Sequence, residues 1–111
     1  MSLQLSLAQI PNIINPIGLT RSALSSDKTA TGITTDTRTL KPGDIFVALR
    51  GERFDGHDFV AIAAEKGAIA AIVEGDCPVN LAQEVVQFHV KDTLAAYQKI
   101  AIWWRDRFEI P

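Results

Sequence analysis

The stretch from Asp44 to Glu74 constrains this chain most. A nearly unbroken apolar run, Ile45-Phe46-Val47-Ala48-Leu49, is followed by a polar loop, a short amphipathic segment and a second apolar run, Ile69-Ala70-Ala71-Ile72-Val73. Apolar runs without alternation suit strands covered on both faces, the habit of parallel sheets. Between the runs, Asp58 is a candidate helix cap, and Phe59, Ile62 and Ala63 share one face of a helix reaching about Lys66. Gly67 stands where a left-handed terminating residue belongs. Strand, loop, helix and strand make a βαβ unit, for which a right-handed crossover and a parallel pair are expected.

The rest of the chain extends that unit on both sides. Gly32–Thr35 reads as a strand ahead of it, joined to it through Lys41-Pro42-Gly43-Asp44. That tetrapeptide is a turn with a mechanism: Pro42 presets φ at the first corner, and Gly43 accepts φ > 0 at the second. Val85–Val90 reads as a further strand, and Asp92 as the cap of a last helix running to about Arg107. In that helix Leu94, Tyr97, Ala101, Trp104 and Phe108 recur at spacings of three and four, an amphipathic stripe. Near the start, a short helix is expected over roughly Ser6–Asn15, with Ser6 as cap and Ile10, Ile13 and Ile14 on one face, although Pro11 interrupts its early part. Asn15-Pro16-Ile17-Gly18 breaks the chain, and Leu19–Thr31 reads as a loop or an edge strand. The expected class is α/β: a small mixed β-sheet flanked by helices.

Charge and cysteine usage narrow the function classes. With 11 basic against 13 acidic residues, the net charge of −2 argues against broad nucleic-acid binding, which normally needs a basic face, while leaving room for a small basic patch that meets a phosphate. No apolar run approaches the roughly 20 residues that cross a bilayer, and the first residues do not form a signal peptide. Cys77 is the sole cysteine, so no intrachain disulfide forms and a reduced, cytoplasmic setting is expected. A length of 111 residues fits one domain, and the closing residues Phe108-Glu109-Ile110-Pro111 read like the lead-in to another element, as in a domain of a longer protein.

Several catalytic signatures are missing from the sequence. Gly51 and Gly56-His57 have the spacing of a phosphate-binding loop but lack its Lys and Ser/Thr. His57 and His89 stand in no metal-ligand pattern, and Cys77 has no neighbouring base. No catalytic residue and no metal ligand are therefore assigned. Two polar loops at strand ends remain: Asp36-Thr37-Arg38, and Gly51-Glu52-Arg53-Phe54-Asp55-Gly56-His57. Each has a plain local reading, the first as an Asx-turn whose Arg38 pairs with a nearby carboxylate, the second as a surface connection into a helix. Each also has a functional reading. Backbone N–H groups at Asp55–His57 and the helix start can face an anion, and the Phe54 ring offers a surface for a base. Trp103 and Trp104 read as core or interdomain surface, not as part of a cofactor site.

Thr35-Asp36-Thr37-Arg38, followed by Lys41-Pro42-Gly43-Asp44 and the run through Gly51-Glu52-Arg53-Phe54-Asp55-Gly56-His57-Asp58-Phe59, closely resembles the N-terminal domain of the bacterial Mur ligases. The resemblance continues through Ala68–Glu74 and the helix at 92–108. Within the family it is strongest to the branch that adds D-alanyl-D-alanine. It implies a three-domain cytoplasmic ligase of peptidoglycan synthesis, monomeric at full length and without membrane or nucleic-acid partners. The N-terminal domain, residues 1–111 here, holds the UDP end of a UDP-MurNAc-peptide. A central domain binds ATP and Mg2+, and a C-terminal domain brings the amine that attacks an acyl phosphate. Carried onto this sequence, the resemblance points to Thr35 and Thr37 from the first loop and to Glu52, Arg53 and Phe54 from the second. Asp36 and Arg38 match the motif too, by touching ligand or by shaping the loop. The ATP motif, catalytic lysine and metal ligands of such ligases are not in this stretch, so catalysis is not expected within it. Two rivals remain open: the same domain of the branch adding the third amino acid, and a non-catalytic binding module.

Overall fold

The computed structural model describes residues 5–19, 29–49, 55–75 and 85–108. Its centre is β5 (Asp44–Val47), all four residues of which are buried. A strand shielded on both faces needs neighbours on both edges and layers above and below. The edges are met by β4 (Gly32–Thr34) and β6 (Ala70–Glu74), both parallel to it, with Ile45 opposite Ile33 on one side and Ala70 on the other. Beyond β6 lies β7 (Val86–Val90), also parallel, and β2 (Gly18–Leu19) adds an antiparallel edge. The strand order is β2-β7-β6-β5-β4, a mixed five-stranded sheet with four parallel members. A separate two-residue pair joins β1 (Leu5–Ser6) to β3 (Thr29–Ala30), antiparallel. The segment expected as loop or edge strand thus holds short strands at both of its ends, and residues 20–28 lie outside the described residues.

Alternation along the strands sorts side chains into two cores. Ile45, Val47, Ala70, Ile72 and Phe88 face α1 (Ile10–Ile14) and α3 (Thr93–Phe108), where Leu7, Ile10, Ile14, Ala96, Ile100 and Trp104 meet them. Phe46, Ala48, Ala71 and Val73 face the other way, onto Val60, Ala63 and Ala64 of α2 (Val60–Glu65). The result is three layers, helix–sheet–helix. Each fully buried Phe or Ile contributes roughly 1.5–3 kcal/mol relative to exposure, and Phe46, Phe88, Ile45, Ile72 and Ile100 are all in that state.

Local chemistry sets the ends of the elements. Ser6 accepts from the Ala8 N–H at 3.3 Å and opens a 3-10 turn, Leu7–Gln9, that runs into α1. Pro11 falls in the first turn of α1, where its missing N–H costs little, and Asn15 ends the helix at φ 47°. Asp92 accepts the Ala95 N–H at 3.1 Å and caps α3. In the Lys41–Asp44 turn, Gly43 has φ 95° and the Asp44 N–H returns to Lys41 O at 3.1 Å. The Asp44 carboxylate in turn accepts the Lys41 N–H at 2.9 Å.

Two expectations change in the structure. Asp58 is not a cap: it sits inside a 3-10 turn, Gly56–Phe59, with its N–H on Asp55 O, and the capping position of α2 falls to Phe59 with no side-chain bond. Consequently α2 buries Val60, Ala63 and Ala64, while Phe59 and Ile62 stay about 40 % exposed. On α3 the buried stripe is Thr93, Ala96, Ile100 and Trp104, with Tyr97 and Trp103 partly covered. Leu94 is 49 % exposed and Ala101 exposed. The helix is apolar on more than one side, so its own periodicity does not choose the face; packing against Phe88 and Ile72 does.

Gly67 tests this account. Its φ is +105°, and an added Cβ would stand 2.9 Å from Pro42 Cα. Gly67→Ala is expected to cost at least about 1–2 kcal/mol from the left-handed backbone alone, read as a lower urea midpoint with an unchanged slope.

Candidate functional site

Because β4 and β5 are parallel neighbours, the loops that leave them emerge on the same edge of the sheet, at the carboxyl ends of the strands. A cavity of about 430 Å³ opens there, lined by Thr35, Asp36, Thr37 and Arg38 from the first loop, by Phe46, and by Gly56 and Phe59 where the second loop meets its helix. Its size is within the range of small-ligand sites, and its place is where open α/β sheets bind ligands. A somewhat larger groove of about 500 Å³, with Lys99, Ile102 and Trp103 among its walls, lies between α1 and α3. It is bounded by helix surface alone, whereas the smaller cavity gathers strand-end loops, hydroxyls and aromatic rings.

The first loop is built from its own side chains. Asp36 accepts the Arg38 N–H at 2.8 Å, the expected Asx-turn, and takes the guanidinium through Nε at 3.1 Å and Nη2 at 2.9 Å. That clasp is exposed, 87 % at the Arg38 side chain, so it shapes the loop more than it stabilises the fold. The Thr34 hydroxyl accepts the Asp36 N–H at 3.1 Å, and the Thr39 N–H and hydroxyl both donate to Asp36 O at 3.2 Å. Thr34 and Thr39 therefore serve the turn, while Thr35 and Thr37 line the cavity. The guanidinium hydrogen-bonded to Asp36 holds its carboxyl below the usual value of 3.8, with the Arg38 backbone bond and the Lys66 charge acting in the same direction.

The described residues on either side of the second loop meet directly. Gly56 N–H donates to Leu49 O at 2.6 Å, and an added Cβ on Gly56 would stand 2.7 Å from both Leu49 N and O. No other residue fits that approach. The same bond consumes one of the N–H groups expected to face an anion, so Gly56 offers the cavity shape and not a donor. Glu52, Arg53 and Phe54 lie outside the described residues. Phe46, buried at the floor, and Phe59, partly exposed, border the cavity, a role that sequence reading missed. Phe46 reads as pure core, and Phe59 reads as the buried face of a helix, whereas it ends the 3-10 turn, stays 39 % exposed and borders the cavity. Among the described residues, no group of three His, Cys, Asp or Glu is placed to hold a metal ion, and no helix is long and apolar enough to cross a membrane.

A parallel α/β domain with its cavity outside the carboxyl ends of adjacent strands is the class that fold and site define. The chain belongs to the Mur ligase family: a family profile described as "Mur ligase family, catalytic domain" matches residues 29–104. It is 49 % identical, over its whole length, to 24 % of a UDP-N-acetylmuramoyl-tripeptide–D-alanyl-D-alanine ligase from Synechocystis. It superposes with a TM-score of 0.76 and 28 % identity on a crystal structure of MurF from Acinetobacter baumannii, covering 96 % of this chain and 22 % of that one. A Thermotoga maritima MurF solved in complex with ADP matches at TM-score 0.56 and 34 % identity, over 68 % of this chain and 17 % of that one. The chain spans about a quarter of the length of the curated relatives it resembles.

Two outcomes follow from the geometry. Gly56→Ala is expected to destabilise by about 1–3 kcal/mol, as overpacking does, and to shift the amide resonances of Leu49 and Phe59. The Asp36 clasp has the sign of a depressed carboxylate: complete above 3.8, and lost only as pH falls through its lowered value. The Arg38 amide shift should accordingly stay constant through neutral and mildly acidic solution and move only below that point; movement near pH 6 or 7 would contradict the assignment.

Proposed function

We propose that residues 1–111 are the substrate-anchoring N-terminal domain of an ATP-dependent ligase that adds D-alanyl-D-alanine to UDP-MurNAc-tripeptide. The observation that carries this reading is the cavity shared by the loops after β4 and β5, lined by the Thr35–Arg38 motif. Hydroxyls of Thr35 and Thr37 read polar edges of the uridine nucleotide. Arg53, with Glu52 beside it, supplies charge to the diphosphate. Phe54 and Phe59 wall the base, and the Asp36–Arg38 clasp keeps the loop in shape. The rest of the ligase would hold ATP and Mg2+, which would supply the phosphoryl group that activates the substrate carboxylate. This domain's part is to hold the distant nucleotide end, so that binding energy positions that carboxylate for the incoming amine. The full-length enzyme acts as a monomer in the cytoplasm, and its other partners are its own central and C-terminal domains.

NMR titration of this chain with UDP, and then with UDP-MurNAc-tripeptide, tests the reading. Saturable shifts of the Thr35–Arg38 amides are expected, with affinity reduced roughly tenfold by Arg53→Ala or Phe59→Ala. Shifts scattered over the surface, or none at millimolar ligand, would count against it. In the full-length protein, a preference for the dipeptide precursor would move the assignment to the branch that adds the third residue.

A further inference from the structure

Lys66 follows α2 and is 29 residues from the first loop, yet its ammonium donates to the carbonyl oxygen of Thr37 at 2.9 Å. Both ends of that bond are fixed by backbone. On the helix side, the Lys66 N–H bonds back to Ile62 O and Ala63 O. Gly67, packed on Pro42, accepts the Gly43 N–H at 3.0 Å. On the loop side, Asp36 holds Arg38, and Thr39 returns its N–H to Asp36 O. A lysine side chain is costly to order, so a lysine placed on a main-chain carbonyl between two anchored segments acts as a strut.

The strut ends on a loop that lines the candidate site. Phe59 immediately precedes α2 and lines the cavity; Lys66 immediately follows α2 and grips the loop whose residues Thr35–Arg38 also line it. The six residues between them form a helix of about 9 Å, which ties the Phe59 end of the cavity to the lysine that holds Thr37. We propose that Lys66 is a positioning residue for the ligand of this cavity, holding the loop after β4 at the width its occupant requires. The inference rests on the reading that the cavity takes a uridine nucleotide. The ammonium also adds positive potential on the loop side, where it acts on Asp36.

The test compares the wild-type chain with Lys66→Met, which keeps the aliphatic stem and drops the donor, and with Lys66→Arg, which restores a charged donor. Each is titrated with UDP and melted without it. The Met variant is expected to raise the Kd roughly three- to tenfold with its unfolding midpoint unchanged, and the Arg variant to recover most of the affinity. Equal Kd values for wild type and Met would overturn the proposal while leaving the nucleotide reading intact. A Met variant whose midpoint falls along with its affinity would overturn it in favour of a purely structural role. Wild-type chain that binds no UDP would sink the nucleotide reading and this inference together.

Discussion

The rest of the molecule depends on one requirement: β5 is buried along its whole length, with apolar Ile45, Phe46 and Val47 on both of its faces. Asp44, Ile45, Phe46 and Val47 are all buried, so the strand has to be paired on both edges and covered above and below. From this follow the parallel partners β4 and β6 and the two separate cores, one under α1 and α3 and the other under α2. Parallel pairing in turn aligns strand ends, so the connections leaving β4 and β5 share one side of the sheet. The cavity is a by-product of covering the central strand.

How much of this was legible depended on the range of the forces involved. The βαβ unit, the Pro42-Gly43 turn, the left-handed Gly67 and the caps at Ser6 and Asp92 are decided within a few residues, and the sequence reading of each matches the structure. The buried face of α3 is not decided locally. With apolar residues on several sides, the helix turns Ala96, Ile100 and Trp104 inward because the sheet offers them Phe88 and Ile72, and it leaves Leu94 outside. Asp58 fails as a cap for a similar reason: the contact of Gly56 with Leu49 starts a tighter turn before the helix does.

The candidate site was readable to the extent that it is a contiguous motif. Thr35, Asp36, Thr37 and Arg38 surround the cavity together, and the pairing of Asp36 with Arg38 needs only two residues of separation. That Phe46 and Phe59 border the cavity could not be recognised, since one belongs to an unbroken apolar run and the other sits at helical spacing with Ile62. Lys66 carried no signal at all. A lone exposed lysine at a helix end looks like solvation until its carbonyl acceptor, brought near by the β5–α2–β6 crossover, is seen.

The closure of Gly56 on Leu49 has a consequence for how such a chain can vary. A backbone bond joins Leu49 and Gly56, the positions on either side of residues 50–55, so that connection starts and ends at nearly the same point. The entropy of closing a loop grows only slowly with its length. Residues can therefore be gained or lost in that excursion at small cost, without shifting the register of α2 or moving Phe59. The glycine works as a hem: it lets the connection be recut for different occupants while the sheet and its helix stay as they are.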